Sequence, residues 1–294
     1  MILLRLQGGL GNQMFQYAAG VALAAKNSCD LKVDLSLFQI SDKRPGHTPR
    51  NFELDIFNAR IDVADAQEVL QFKKPSVASR IKRKLGLNYP KRYAESAGTS
   101  WRDFLSAKPP VMIEGYFQTW RNPASNEEQI RSAFKFRDDL LDEQNRKLHH
   151  EFAKGDSVAV HIRRGDYVTD PVTNSYHGTC SSDYYKLAIE KIRLLTGDPH
   201  FVFFSDDIQF VKDEFESLNG RKTFVDSNQG KSSWKDMYLM SGCKYHIIAN
   251  STFSWWGAWL SNKPGKSVIA PSRWFESLDA VSINEIVPES WIKI

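Results

Sequence analysis

From Ser157 onward the chain repeats one pattern, and that pattern leaves few folds open. Apolar strands are predicted at Val158–Ile162, Phe201–Phe204, Lys222–Val225, Tyr245–Ala249 and Ser267–Ala270. Helical segments are predicted between them at Asp183–Leu195, Ile208–Leu218, Trp234–Ser241 and Phe253–Leu260. Nearly continuous apolar strands separated by helices belong to a parallel sheet covered on both faces and linked by right-handed crossovers. The expected architecture is therefore α/β, with a Rossmann-like core in a C-terminal domain drawn over residues 151–294. Residues 1–150 read as a looser α/β domain. Its predicted parts are a strand at Ile2–Leu6, a helix from Gln13 to about Lys26, a strand at Leu31–Asp34 and a short helix from Val63 to Phe72. Val111 to Gln118 reads as a strand running into an aromatic-polar loop. A helix from about Pro123 to Phe134 and a polar segment from Asp138 to Asp156 complete this half.

In open α/β sheets ligands bind beyond the carboxyl ends of the strands. Four such ends converge in the second half: His161 to Asp166, Ser205-Asp206-Asp207, Asp226-Ser227-Asn228, and Asn250-Ser251-Thr252-Phe253-Ser254. The first closes an apolar run with Arg163, Arg164, Gly165 and Asp166. Paired guanidiniums are forked, permanently charged donors suited to phosphate oxygens, so a pyrophosphate-bearing ligand is expected there, with Asp166 near enough for proton chemistry. The last puts hydroxyls and free N–H groups at a helix start, which is an anion site by geometry or a plain N-cap. Asp206-Asp207 reads either as a metal-binding carboxylate pair or as an N-cap with a favourable first-turn charge.

In the first half, a strand, the loop Gly8-Gly9-Leu10-Gly11-Asn12-Gln13 and a helix follow one another. The loop either lets a ligand approach the backbone or packs the helix on the sheet. A dinucleotide fingerprint would need a glycine where Met14 stands, which weakens a nicotinamide-dependent oxidoreductase reading. Phe117 and Gln118 are expected to line a cleft. Gly230-Lys231-Ser232 and Gly265-Lys266-Ser267 end like phosphate loops, but the leading glycine falls on Val225 and Leu260.

Charge and cysteine usage narrow the partners. The net charge is +4, from 39 Lys and Arg against 35 Asp and Glu, which is too mild and too mixed to argue for nucleic acid. Lys73, Lys74, Arg80, Lys82, Arg83, Lys84, Lys91 and Arg92 form a run without an acidic residue. Such a run is a solvated face, or it meets an anionic membrane surface or a phosphate-bearing acceptor. Cys29, Cys180 and Cys243 are odd in number and widely spaced, which favours a reducing compartment over a disulfide framework or zinc site. The start of the chain does not read as a leader, and no apolar stretch approaches the ~20 residues that span a bilayer. A cytoplasmic protein, with peripheral contact at the inner face of the membrane through Lys73 to Arg92, is expected.

Five motifs, taken in order, carry a resemblance over nearly the whole length. They are Gly8-Gly9-Leu10-Gly11-Asn12-Gln13-Met14-Phe15-Gln16, Gly115-Tyr116-Phe117-Gln118, His161-Ile162-Arg163-Arg164-Gly165-Asp166-Tyr167, Phe204-Ser205-Asp206-Asp207, and Asn250-Ser251-Thr252-Phe253-Ser254-Trp255-Trp256-Gly257. With them the chain resembles the alpha-1,2-fucosyltransferases of glycosyltransferase family 11. The resemblance implies a GT-B-like arrangement of two facing Rossmann-like domains with parallel sheets. It implies GDP-L-fucose as donor, no cofactor, no metal, and inverting transfer to the 2-hydroxyl of a β-galactoside-terminated glycan. Carried over, Arg163 and Arg164 would hold the pyrophosphate, His161 would lie near the nucleotide and Asp236 would read the guanine edge. Ser251, Thr252, Phe253 and Ser254 would contact phosphate and ribose. Asn12 and Gln13, with Phe117 and Gln118, would face the cleft on the acceptor side. The base would be Asp166, or Asp170 a few residues on. A non-catalytic nucleotide-sugar-binding protein, or a fucosyltransferase of different linkage, are the alternatives.

Overall fold

Two parallel sheets organise the chain, one in each of two units, Met1–Lys135 and Phe136–Ile294. The computed structural model describes residues 1–39, 50–73, 77–85, 87–96, 98, 100–165, 178–276 and 282–294.

In the first unit the order is β2 (Leu31–Asp34), β1 (Ile2–Arg5), β4 (Val111–Glu114), β3 (Lys91–Ala94), and every pairing is parallel. Ile2, Leu3 and Leu4 are fully buried, as a central parallel strand covered on both faces requires. The helix Leu10–Asn27 buries nearly every position as far as Ala24. It begins three residues before the predicted start, because Gly9 caps it in an extended conformation and Gly8 turns the chain at φ 76°. Strand β3 escaped the sequence reading because it is an edge strand with Lys91 and Arg92 exposed, so it carries no apolar pattern.

In the second unit the order is β10 (Ile292–Lys293), β9 (Ser267–Ala270), β8 (Tyr245–Ile247), β5 (Ser157–Ile162), β6 (His200–Ser205), β7 (Lys222–Val225), again all parallel. All five strands predicted here are present, and β10 adds a short edge. Each face of the sheet has its own core. Val158, Val160, Ile162, Phe201 and Phe203 pack with Tyr185, Ile189 and Ile192 on one side. Ala159, Val202 and Phe204 pack with Phe152, Leu239 and Met240 on the other. Trp255 and Trp256 have no exposed surface, and the Trp255 indole N–H donates to the Ile286 carbonyl at 2.9 Å. Truncating either to alanine would cost ~3–5 kcal/mol.

The division between the units falls at 135/136 rather than at 150/151, for a physical reason. The polar segment from Asp138 contains the helix Glu143–Ala153, whose few apolar residues serve the second unit. Phe152 is in that unit's core, the His149 ring stacks on Tyr238 at 4.2 Å, and Asn145 exchanges hydrogen bonds with Asn228.

Candidate active site

Strand order locates the crevice in the second unit. The chain runs outward from β5 to β6 and β7, then returns to β8 on the other side of β5. Crossovers therefore leave β5 and β8 in opposite directions, and the ends of these two strands flank the topological switch point where such sheets bind ligands.

At the end of β5, register decides which side chains meet. Ile162 is paired with Ser205, so Arg163 emerges beside Asp206. The Arg163 Nη1 lies 2.7 Å from the Asp206 Oδ2, and the backbone N–H of Arg164 donates to the other oxygen of that carboxylate at 2.9 Å. The Arg164 guanidinium lies 3.5 Å above the Phe210 ring and bonds Asp207 through Nε at 3.2 Å. Asp207 also caps the helix Ile208–Phe215, accepting from the Phe210 N–H. Of the two sequence readings of Asp206-Asp207, the N-cap thus holds for Asp207. Both carboxylates orient the arginines. Each arginine side chain keeps about a quarter of its surface exposed, 26% and 28%. A Cβ at Gly165 would strike the Asp206 carboxylate, so the motif needs glycine there.

At the end of β8, Ser251 stands in the N-cap position of the helix Thr252–Leu260 and makes no side-chain capping bond. The helix start therefore turns its first N–H groups and positive dipole end toward the crevice without a capping hydroxyl on them. Ser254 is fully buried and its hydroxyl donates to the Ser251 carbonyl, so its side chain serves the turn. Phe253 is half-buried, with its ring 5.8 Å from that of His161.

His161 is 5% exposed, and among the described residues its Nδ1 has no hydrogen-bond partner. Burial, reinforced by the Arg163 charge, pushes its pKa down to about 3, so the ring is neutral at physiological pH. The buried Asn250 ties the neighbouring segments together. Its amide donates to the carbonyls of Gly178 and Trp274 at 3.3 and 3.2 Å, and its oxygen accepts from the Cys180 thiol. Sequence reasoning missed this role, although a buried amide at a strand end signals such a clamp.

Asp236 lies in the first turn of the helix Trp234–Gly242, 8% exposed. Desolvation raises its carboxyl to about 7, partly offset by a 2.9 Å hydrogen bond from the Asn228 amide. A chain of partners stands behind it. Asn228 and Asn145 exchange amide bonds at 2.8 and 3.0 Å, Asn145 donates to Asp142, and Asp142 pairs with Lys235 at 2.7 Å. Sequence reasoning singled out Asp236 but not Asn145, because nothing in a polar helix marks one asparagine as buried.

In the first unit β1 and β4 are neighbours, and the segments that follow their carboxyl ends meet. The Gln118 amide donates to Asn12 Oδ1 at 3.0 Å, and both residues are half-buried. Two expectations are corrected here. Gln13 has no exposed surface, since its amide donates to the Gly8 and Asn51 carbonyls and its oxygen accepts from the Glu53 N–H. It braces the glycine turn. Phe117 is 3% exposed and packs against Phe104 and Tyr93, so it is core. Asp166 and Asp170 lie outside the described residues. No described helix is long and apolar enough to cross a membrane.

Comparison with known proteins supplies independent findings. Residues 100–294 match the family model for Glycosyl transferase family 11. The chain is 34% identical over 294 residues to an alpha-1,2-colitosyltransferase of Escherichia coli, covering 100% of this chain and 99% of the relative. It is 31% identical over 181 residues to galactoside alpha-(1,2)-fucosyltransferase 1 of Ateles belzebuth, covering 55% of this chain and 49% of that protein. The crystal structure of fucosyltransferase NodZ from Bradyrhizobium superposes with a TM-score of 0.52 at 17% identity, over 87% of this chain and 91% of NodZ. That likeness shows the fold, an α/β GT-B-like architecture.

Proposed function

We propose, from the premise that this chain belongs to glycosyl transferase family 11, that it moves L-fucose from GDP-β-L-fucose to the 2-hydroxyl of a β-galactoside-terminated glycan. The product is an α-1,2-fucoside. The observation that carries this reading is the arginine pair docked on Asp206 and Asp207 at the β5–β8 switch point, beside a helix start without a side-chain cap.

The chemistry follows from charge. Breaking the fucosyl–phosphate bond makes an oxocarbenium-like sugar and leaves negative charge on GDP. Guanidiniums held in place before the reaction stabilise that developing charge without reorganising. Arg163 and Arg164 fill this role, together with the N–H groups of Ser251, Thr252, Phe253 and Ser254. They supply the positive charge that a divalent ion supplies elsewhere, and Asp206 and Asp207 are engaged with them, so we assign no metal and no cofactor. Neutral His161 offers its Nδ1 to the nucleotide. Asp236, as a carboxylate, accepts from the two N–H groups of the guanine edge. The acceptor hydroxyl attacks from the face opposite the phosphate and inverts the anomeric centre, losing its proton to Asp166, with Asp170 as the second candidate. Asn12 and Gln118 contact the acceptor.

The colitosyltransferase relative favours one further reading, in which the sugar is colitose. That sugar is L-fucose without its 3-hydroxyl, and a site built to bond a hydroxyl rejects an analogue lacking it by up to ~10⁴-fold. Transfer assays with GDP-fucose and GDP-colitose on a β-galactoside separate the two. Transfer of neither, with GDP still bound, would leave a nucleotide-sugar-binding protein.

We place the protein in the cytoplasm, in peripheral contact with the inner face of the membrane through the basic stretch between Lys73 and Arg92. The two ends of that stretch have internal partners, since Lys73 pairs with the buried Asp34 at 3.2 Å and Arg92 with Glu114 at 2.6 Å.

A further inference from the structure

The helix Val77–Lys84, in the middle of the basic stretch, is oriented the wrong way round for a helix that packs on a protein core. Val77, Ile81 and Leu85 follow one another at helical spacing and are 71%, 53% and 67% exposed. Leu85 continues the same turn, its N–H donating to the Ile81 carbonyl at 3.0 Å, and Leu87 beyond it is 54% exposed. Ser79, which lies on the opposite side of the wheel, is buried. At about 100° per residue the three apolar side chains span an arc of roughly 80°, with Lys82 and Lys84 flanking it, both exposed. Surface helices normally bury the apolar arc and expose the polar one. Here the small polar residue faces the protein and the large apolar ones face outward.

We propose that this helix is an interfacial element that lays Val77, Ile81, Leu85 and Leu87 into an anionic lipid surface, with Lys82 and Lys84 at the level of the headgroups. The proposal rests on the peripheral membrane contact proposed above and deepens it from attraction to insertion. An outward apolar arc rimmed by lysines, in a stretch without an acidic residue, is complementary to a negatively charged bilayer. Each lysine adds attraction that salt screens, while the apolar side chains add burial that salt leaves in place. With Lys73 and Arg92 held by Asp34 and Glu114, the attraction falls to the middle of the run.

The test is co-sedimentation of the full chain with vesicles of phosphatidylcholine alone and of phosphatidylcholine mixed with phosphatidylglycerol. Three proteins are compared: the unaltered chain, Ile81→Ser/Leu85→Ser and Lys82→Gln/Lys84→Gln. Because all four side chains are exposed, the variants should keep the fold, and thermal unfolding checks this. The expected result is binding to the anionic vesicles, weakened on the order of tenfold by either pair of substitutions. Binding that the lysine pair and high salt remove, but the serine pair leaves unchanged, overturns insertion and leaves only electrostatic contact. No binding by the unaltered chain overturns both. A self-association seen by sedimentation velocity without lipid, and lost in the serine variant, identifies the face as a contact between copies and also overturns the proposal.

Discussion

Arg163 and Asp206 meet at 2.7 Å because β5 and β6 are paired in parallel with Ile162 opposite Ser205. The contact is a product of register, so the sheet itself aims the guanidinium. Both partners are about a quarter exposed, and such a pair contributes only about 0–1 kcal/mol to stability. Its value lies in position. Asp206→Ala is expected to leave thermal unfolding within a few degrees of the unaltered protein. It should lower the transfer rate by about tenfold or more, and steady-state kinetics with GDP-fucose checks this.

Arg163→Ala removes the donor itself. A loss on the order of 100-fold or more in kcat is expected, corresponding to ~3 kcal/mol of transition-state stabilisation, with the circular dichroism spectrum unchanged. Full activity would remove the arginine pair from the site.

Gly165→Ala tests the same corner by bulk. Its Cβ would collide with the Asp206 carboxylate, which must swing away and release Arg163 and the Arg164 N–H. The kinetic loss should therefore match that of Asp206→Ala, and the double variant should be no worse than either single one.

If Asp236 reads guanine as proposed, GDP binding is expected to depend on pH. The Asp236 carboxyl is raised to about 7 in the folded protein, against a value near 3.9 when unfolded. The folded state thus holds the extra proton, so stability falls as pH rises from about 4 through about 7. Asp236→Asn removes that cost while still offering an oxygen to the Asn228 amide. It should stabilise the protein at neutral pH by on the order of 2–4 kcal/mol, with the gain vanishing near pH 4. The same substitution should weaken GDP binding. In the unaltered protein GDP affinity should decline as pH drops below about 7, where the carboxylate is lost. Calorimetric titration with GDP from pH 5 to 8 would show an unchanging affinity if Asp236 does not read guanine.

Asn250→Asp turns a donor into a charged acceptor against the Gly178 and Trp274 carbonyls. Leaving two buried acceptors unsatisfied should cost about 1–3 kcal/mol each, and urea unfolding measures it.

The second unit was legible in the sequence because its strands are buried on both faces and its helices are amphipathic. Even the convergence of β5, β6 and β8 at one edge followed from parallel pairing. The first unit was less so, since its edge strand β3 is basic and its short helix Trp101–Leu105 spans a single turn or so. In the site, arginines at a strand end announce themselves. Gln13 and Phe117 misled because burial depends on what packs above them, here Asn51, Glu53 and Phe104, and no local pattern encodes that. The partnership of Arg163 with Asp206 spans 43 residues and becomes visible only through register.

The helix Glu143–Ala153 also dictates where this polypeptide can be divided. A fragment begun at residue 151 would keep Phe152 but lose Leu148, His149 and Asn145, stripping the cover from Tyr238 and the support from Asn228. The Asp236 carboxylate would then keep Asn228 but lose the Asn145 layer behind it. A fragment begun at Phe136 keeps that layer intact, along with the stack of Phe136 on Trp234 at 5.9 Å. The second unit thus has a natural first residue, fixed by a stretch of chain that looks like a linker.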